Sequence, residues 1–230
     1  MISLSVSKKY GDSSVFDNFA LQIKEGEILC LLGASGVGKT TLLNILAGLT
    51  DFQGNIENLP EKIGYIFQGP RLIPNLTVEE NLRYAGGEKD AVEEILQKTG
   101  LFPHKNKRPS MLSGGEKQRV NLARAFLSGA KLLLFDEAFS SLDLPLKKEL
   151  YELFLALWEK EKPSVLLVTH DIDEAWALGD RILLLKEGKV ILERIPKRER
   201  KGAFWEYDKG KEALVKRILE ESNEIIEEKI

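Results

Sequence analysis

Gly33-Ala34-Ser35-Gly36-Val37-Gly38-Lys39-Thr40, with Thr41 after it, fits the pattern G-x-x-x-x-G-K-[ST]. The chemistry open to such a loop is the holding of phosphate. Its glycines let successive backbone N–H groups turn inward around phosphate oxygens, and a helix that starts there adds its partial positive charge. Lys39 is placed to reach the β- and γ-phosphates of a nucleotide, and the Thr40 hydroxyl to ligate Mg²⁺; such loops serve kinases, GTPases, helicases and transport ATPases alike. The alternative, a glycine-rich turn that binds nothing, does not explain why the loop lies between a predicted strand and a predicted helix.

A second group of residues suits the same substrate. Leu132-Leu133-Leu134-Phe135-Asp136-Glu137 is an apolar run ending in two carboxylates. A carboxylate at such a strand end completes the shell of a phosphate-bound Mg²⁺, which assigns Asp136 to the metal. Hydrolysis also needs a group that orients or deprotonates water, which assigns Glu137 to the water. The competing reading is a solvated acidic turn.

Leu112-Ser113-Gly114-Gly115-Glu116-Lys117-Gln118-Arg119 discriminates further. Ser113 followed by Glu116 is a capping-box pattern that opens a helix. Its hydroxyl, the amides of Gly114 and Gly115 and the helix dipole make a second anion site. One nucleotide and two phosphate-binding elements leave a surplus to be explained.

These residues need elements to hold them. Residues 2–6 alternate apolar and polar as a half-buried strand does, and 15–23 read similarly. The apolar run 28–32 ends in glycine, as a buried parallel strand would. From Lys39, the residues Leu42, Leu43, Ile45, Leu46 and Leu49 recur at helical spacing. Strand-like runs return at 63–67, 132–135, 165–168 and 182–185, with a Gly- and Asn-containing connection before the first of them. Residues 69–128 read as all-helical, with Thr77-Val78-Glu79-Glu80 as another capping box. Strands alternating with helices imply an α/β fold with a mainly parallel sheet, and the helical block is an insertion in it. In the charged segment 196–230, Leu214, Val215, Ile218, Leu219, Ile225 and Ile226 form one apolar stripe, expected to pack on its own domain.

Together these motifs resemble the nucleotide-binding subunit of an ATP-binding cassette (ABC) transporter, over about residues 1–195. The resemblance implies a phosphate-loop NTPase fold with an N-terminal antiparallel β portion and an inserted helical subdomain. It divides the single domain into a catalytic core at 1–68 and 129–195, a helical signature subdomain at 69–128 and a C-terminal helical extension at 196–230. In that family two chains sandwich two ATP molecules head to tail, and the Leu-Ser-Gly-Gly element completes the ATP site of the other chain. The remaining roles follow position by position. Tyr10 matches the aromatic that stacks on adenine. Gln68 matches the glutamine that senses Mg²⁺ and the attacking water and couples the site to the membrane subunits. Asp143, in Ser140-Ser141-Leu142-Asp143, matches the loop that crosses the dimer interface. His170, in Val168-Thr169-His170-Asp171, matches the switch histidine near the γ-phosphate. His104, in a basic loop, is expected to be solvent-exposed.

Departures are small: Ala138 stands where proline is common and Ser141 where alanine is. The stretch between Gly54 and Lys62 is short, so the early antiparallel hairpins are expected to be trimmed. The segment Phe67-Gln68-Gly69-Pro70-Arg71-Leu72-Ile73-Pro74-Asn75-Leu76-Thr77-Val78-Glu79-Glu80-Asn81-Leu82 resembles the nitrate, sulfonate and taurine importer type. Import with separate permease subunits and an extracytoplasmic solute-binding protein is therefore expected, on the cytoplasmic face of the membrane. An ABC ATPase for export or lipoprotein release is the alternative. A soluble cassette acting on nucleic acid is less favoured, since neither tandem cassettes nor long coiled-coil insertions are present.

Bulk composition agrees. The 230 residues include 33 Lys and Arg against 36 Asp and Glu, a net charge of −3, so no direct contact with nucleic acid is expected. No stretch approaches the roughly 20 apolar residues that span a bilayer, and no basic-then-apolar leader pattern opens the chain. The single cysteine, Cys30, lies in an apolar run and is expected to be a small buried hydrophobe in a reducing compartment.

Overall fold

The alternation at the start of the chain builds an antiparallel hairpin, β1 (Ile2–Tyr10) with β2 (Ser13–Ile23), whose residues Ile2, Leu4, Val6, Phe19, Leu21 and Ile23 all turn to one buried face. β3 (Ile28–Leu32) is buried along its whole length. It leads through the loop at 33–38 into α1 (Lys39–Leu46). β4 (Gln53–Glu57) then returns to pair antiparallel with β1, giving a three-stranded sheet in the order β2-β1-β4. The computed structural model describes residues 1–140, 142–196, 211–216 and 218.

β5 (Ile63–Ile66) starts the return to the main sheet, after which helices are the only regular elements for some sixty residues. α2 (Val78–Tyr84), α3 (Lys89–Lys98) and α4 (Gly114–Leu127) enclose their own apolar cluster, which includes Val78, Leu82, Val92, Leu96, Leu101 and Val120. Both capping boxes form, at Thr77 with Glu80 and at Ser113 with Glu116. The core resumes with β6 (Leu132–Asp136), α5 (Leu144–Glu161), β7 (Ser164–Thr169), α6 (Ile172–Leu178), β8 (Arg181–Lys186) and β9 (Lys189–Arg194). The second sheet has the order β5-β6-β7-β3-β8-β9, parallel except for β9 at its edge.

That sheet is covered on both faces, which is why its strands read as unbroken apolar runs. Leu29 and Leu31 of β3 turn towards α1 and the antiparallel sheet, while Ile28, Cys30 and Leu32 turn towards α4, α5 and α6. Cys30 is buried there as expected.

Two strands escaped the sequence pattern. The stretch at 53–57, read as a connection within a shortened region, is β4. Four of its five residues are exposed, so it shows no alternation to find. A Cβ at Gly54 would run into the Ser5 carbonyl, so glycine is what lets β4 approach β1 here. β9 has the same masking pattern of exposed and half-buried residues. Of the C-terminal stripe, Leu214 is buried in the main core and Ile218 packs against it, while Leu219, Ile225 and Ile226 lie outside the described residues.

Candidate active site

The phosphate loop joins the end of β3 to α1 and is held from below. A Cβ at Gly33 would come within 2.8 Å of the Leu185 carbonyl, and one at Gly38 within 2.7 Å of the Val15 side chain. Gly38, which caps α1, also has φ 105° and Gly36 has φ 86°, conformations that only glycine adopts without strain. Above this base Ala34, Ser35 and Gly36 are exposed, with Val37 and Thr41 half-buried. Lys39 is buried, and its Nζ donates to the carbonyls of Gly33 (2.8 Å) and Ala34 (2.9 Å) and lies 3.6 Å from Glu137 Oε1. Burial holds its ammonium below the ordinary lysine range, with Glu137 and Asp136 pulling the other way.

The acidic pair stands beside this loop because β6 and β3 flank β7 in one parallel sheet. Thr40 Oγ1 donates to Asp136 Oδ1 at 2.9 Å. The other carboxylate oxygen of Asp136 accepts from the Tyr65 hydroxyl at 3.1 Å, a contact the sequence reading missed. Burial, reinforced by Asp136, pushes the Tyr65 phenol above its ordinary range, so it remains a donor. The signal available was a tyrosine in an otherwise apolar strand, three residues before Gln68.

Glu137 adopts φ 47°, the left-handed region that a non-glycine residue enters at a cost of about 1–3 kcal/mol. Its N–H is bonded to the Val168 carbonyl of β7 at 3.1 Å, and Ser140 N–H closes the turn back onto its own carbonyl at 3.1 Å. The side chain is thereby set between Lys39 and His170, whose Nδ1 lies 3.2 Å from Glu137 Oε2. Gln68, exposed after β5, reaches Ser140 Oγ from its Nε2 at 3.5 Å. The structure therefore brings Lys39, Thr40, Asp136, Glu137 and His170 together, with Gln68 at the rim.

The other expected residues stand apart from that cluster. Ser113 caps α4, its Oγ accepting from Glu116 N–H at 3.2 Å while Glu116 Oε2 accepts from Ser113 N–H at 2.6 Å. Ser113 and Gly114 are exposed; Gly115 is buried because Leu146 of α5 lies where its Cβ would be, 2.8 Å away. Asp143 is exposed and caps α5 by accepting from Leu146 N–H at 3.0 Å. Tyr10 ends β1, 52 % exposed, with the Lys8 ammonium 4.6 Å from its ring centroid. Among the described residues no hydrogen bond or ion pair joins 113–115, Asp143 or Tyr10 to residues 33–41.

His104 is a correction. It is half-buried rather than solvent-exposed, and its Nε2 lies 2.9 Å from Glu116 Oε1. The basic sequence around it hid this because the loop folds back on the start of α2, with the carbonyls of Lys105 and Lys107 accepting from Glu79 and Val78 N–H.

Residues 16–140 match the model of the family described as ABC transporter. This chain belongs to the ABC transporter family. As an ABC ATPase it binds and hydrolyses ATP, and the strand order and helical insertion are those expected of the phosphate-loop NTPase fold. It is 43% identical over 189 residues to a protein of Pseudomonas savastanoi pv. phaseolicola named aliphatic sulfonates import ATP-binding protein SsuB 2, covering 81% of this chain and 70% of that one. A Yersinia pestis protein named aliphatic sulfonates import ATP-binding protein SsuB is 40% identical, across 86% of this chain and 78% of its own. Among solved structures the ABC ATPase is similar to the cassette MJ0796 in a dimeric post-hydrolysis state bound to ADP and Pi, with TM-score 0.72, 33% identity and coverage of 86% of this chain and 100% of that one. It is also similar to cbiO1 from Clostridium perfringens, with TM-score 0.76, 28% identity and coverage of 85% and 88%.

Among the described residues no helix is long and apolar enough to cross a membrane, and no group of three or more His, Cys, Asp or Glu is arranged to hold a metal. A hard cation at this site would depend on oxygens of the nucleotide and water. The paired oxygens of Thr40 and Asp136 fit such a cation, since Mg²⁺ takes one or two protein ligands beside phosphates.

Proposed function

We propose that this ABC ATPase is the ATP-hydrolysing subunit of an import system, working as a head-to-tail pair of copies at the cytoplasmic face of a membrane. It drives separate permease subunits, supplied with solute by an extracytoplasmic binding protein. The observation that carries the reading is the start of α4. Ser113 and Gly114 face solvent, bonded to their own helix and not to the phosphate loop of their own chain. A helix start of this kind is an anion site, so its natural ligand is the γ-phosphate held by a second copy. Similarity to a dimeric cassette structure supports the pairing, and relatives named for aliphatic sulfonate import support the direction.

In this reading residues 1–68 and 129–195 form the catalytic core, 69–128 the signature arm and 196–230 an extension. Tyr10 stacks on adenine. The amides of residues 33–41 enclose the phosphates, and Lys39 turns from the Gly33 and Ala34 carbonyls to the β- and γ-oxygens. Thr40, Asp136 and Gln68 would hold Mg²⁺, which when bound would offset phosphate charge. Water attacks the γ-phosphorus, its proton passes to Glu137, and the bond to the ADP oxygen breaks. His170 fixes the Glu137 carboxylate from its other side. Asp143 of each chain lies at the crossing between the two copies. Closure and reopening reach the permeases through the helical arm and Gln68.

The test is Glu137→Gln with ATP and Mg²⁺, followed by light scattering and retained nucleotide. The expected result is a stable dimer that keeps ATP. A variant that neither retains ATP nor shifts towards dimer overturns the pairing.

A further inference from the structure

The capping box at Ser113 creates a problem for the function just proposed. The box uses the acceptor side of the Ser113 hydroxyl, leaving its proton free to donate to a phosphate oxygen. The N–H groups of Gly114 and Gly115 belong to the first helical turn and have no partner within the helix. These donors suit a γ-phosphate. Yet the same box draws the carboxylate of Glu116, three residues on in the chain, back to the Ser113 N–H at the helix end where an incoming phosphate must settle. Carboxylate and phosphate repel, and a Glu116 side chain free to swing outwards would contend for the same donors.

His104 answers this geometrically. Glu116 Oε2 is held by Ser113 N–H at 2.6 Å, and Glu116 Oε1 lies 2.9 Å from His104 Nε2. Both carboxylate oxygens are thus engaged on the helix's own side. Among the described residues the ring has no other polar partner, its buried Nδ1 making no hydrogen bond there. A proton on Nε2 lets the ring donate to Glu116 whether it is neutral or charged. The ring is itself placed by the short helical turn Phe102–His104, where His104 N–H donates to the Leu101 carbonyl at 2.8 Å.

We propose that His104 is a positioning residue for the signature serine, pinning the Glu116 carboxylate back so that Ser113, Gly114 and Gly115 can receive the partner's γ-phosphate. This rests on the head-to-tail reading above. It acts on the affinity of the closed dimer for ATP and leaves the chemistry at Glu137 untouched.

The experiment measures, by light scattering in the Glu137→Gln background, the ATP concentration for half-maximal association. Added His104→Leu removes the donor and is expected to raise that concentration roughly three- to tenfold, as loss of one partly exposed charged contact would. His104→Gln, whose amide can replace Nε2, is expected to stay near the parent. Adding Glu116→Gln to His104→Leu keeps a capping carbonyl, removes the charge and is expected to restore the parent value. In the parent with Glu137 intact, His104→Leu should raise KM for ATP with kcat little changed. An unchanged half-point in His104→Leu, or no rescue by Glu116→Gln, overturns the proposal and leaves His104 a packing residue. If His104→Leu does not fold, His104→Ala takes its place, and an unchanged half-point there, or no rescue by Glu116→Gln, overturns the proposal equally. A Glu137→Gln parent that does not associate at all overturns the pairing itself, and with it this role.

Discussion

At the phosphate loop the charged groups have partners within the chain: Lys39 on two carbonyls and near Glu137, Thr40 on Asp136, Glu137 against His170. At the start of α4 the bonds run along one helix turn, and the serine and first glycine look outwards. The first region is a set of side chains from the start of α1 and the ends of β6 and β7 that compensate one another's charge. The second is a backbone end with outward donors and the Glu116 carboxylate beside them. Such a difference is expected when one region does chemistry on a ligand and the other recognises a ligand delivered by a second body.

The largest effect that tests this contrast is complementation between two inactive chains. Lys39→Ala and Ser113→Arg are each expected to lower ATP turnover by about a hundredfold or more. Mixed, they form one site from the Ser113→Arg chain's loop and the Lys39→Ala chain's helix, both unaltered. Phosphate release in the mixture should recover to a substantial fraction of the parent rate. No recovery at any ratio would mean that loop and signature serve the same chain.

Asp136→Asn probes the loop side alone. It keeps a partner for Thr40 but weakens the site for a hard cation, and the Mg²⁺ needed for half-maximal turnover is expected to rise about tenfold. Isothermal titration of the Ser113→Arg chain, which keeps its own loop, should show nucleotide binding unchanged. Loss of that binding would blur the division between the regions.

A third outcome concerns the frame behind His170. Burial, with Asp171 beside it, pushes the Glu174 carboxyl up to about 8. The folded chain then holds this proton more tightly than the unfolded chain, where the group titrates in the ordinary carboxylate range. Its contribution to stability is complete at acidic pH and is lost as pH rises through that range towards about 8. Glu174→Gln mimics the protonated form, so its thermal midpoint should fall less than the parent's between about pH 5 and about pH 8. An equal decline in both would remove Glu174 as the cause. The smallest effect is expected at Tyr10. Tyr10→Ala should raise KM for ATP roughly two- to tenfold with kcat little altered, as loss of one stacking contact does.

The site was legible where chemistry demands particular residues in a fixed order along the chain. The loop at 33–41, the pair Asp136 and Glu137 and the box at Ser113 are each local, so a short window contains them. What depended on distant segments was hidden. Tyr65 meets Asp136 because β5 and β6 lie side by side, and nothing near Tyr65 in sequence announces that pairing. His104 meets Glu116 through a loop that folds back on α2, and its basic neighbours gave the opposite impression. The same holds for the fold: strands buried on both faces stood out as apolar runs, whereas β4 and β9, at sheet edges, had no pattern to show.

The amide of Glu137 is tied to the carbonyl of Val168, two residues before His170 on the same run of chain. Carboxylate and imidazole therefore share one rung between neighbouring strands, and their spacing of 3.2 Å is fixed inside a single copy. Alignment of this pair is removed from the work that closure has to do. On the head-to-tail pairing proposed above, two copies coming together have only the phosphate end to bring into register. On that same proposed pairing, a chain apart from its partner carries ATP without wasting it.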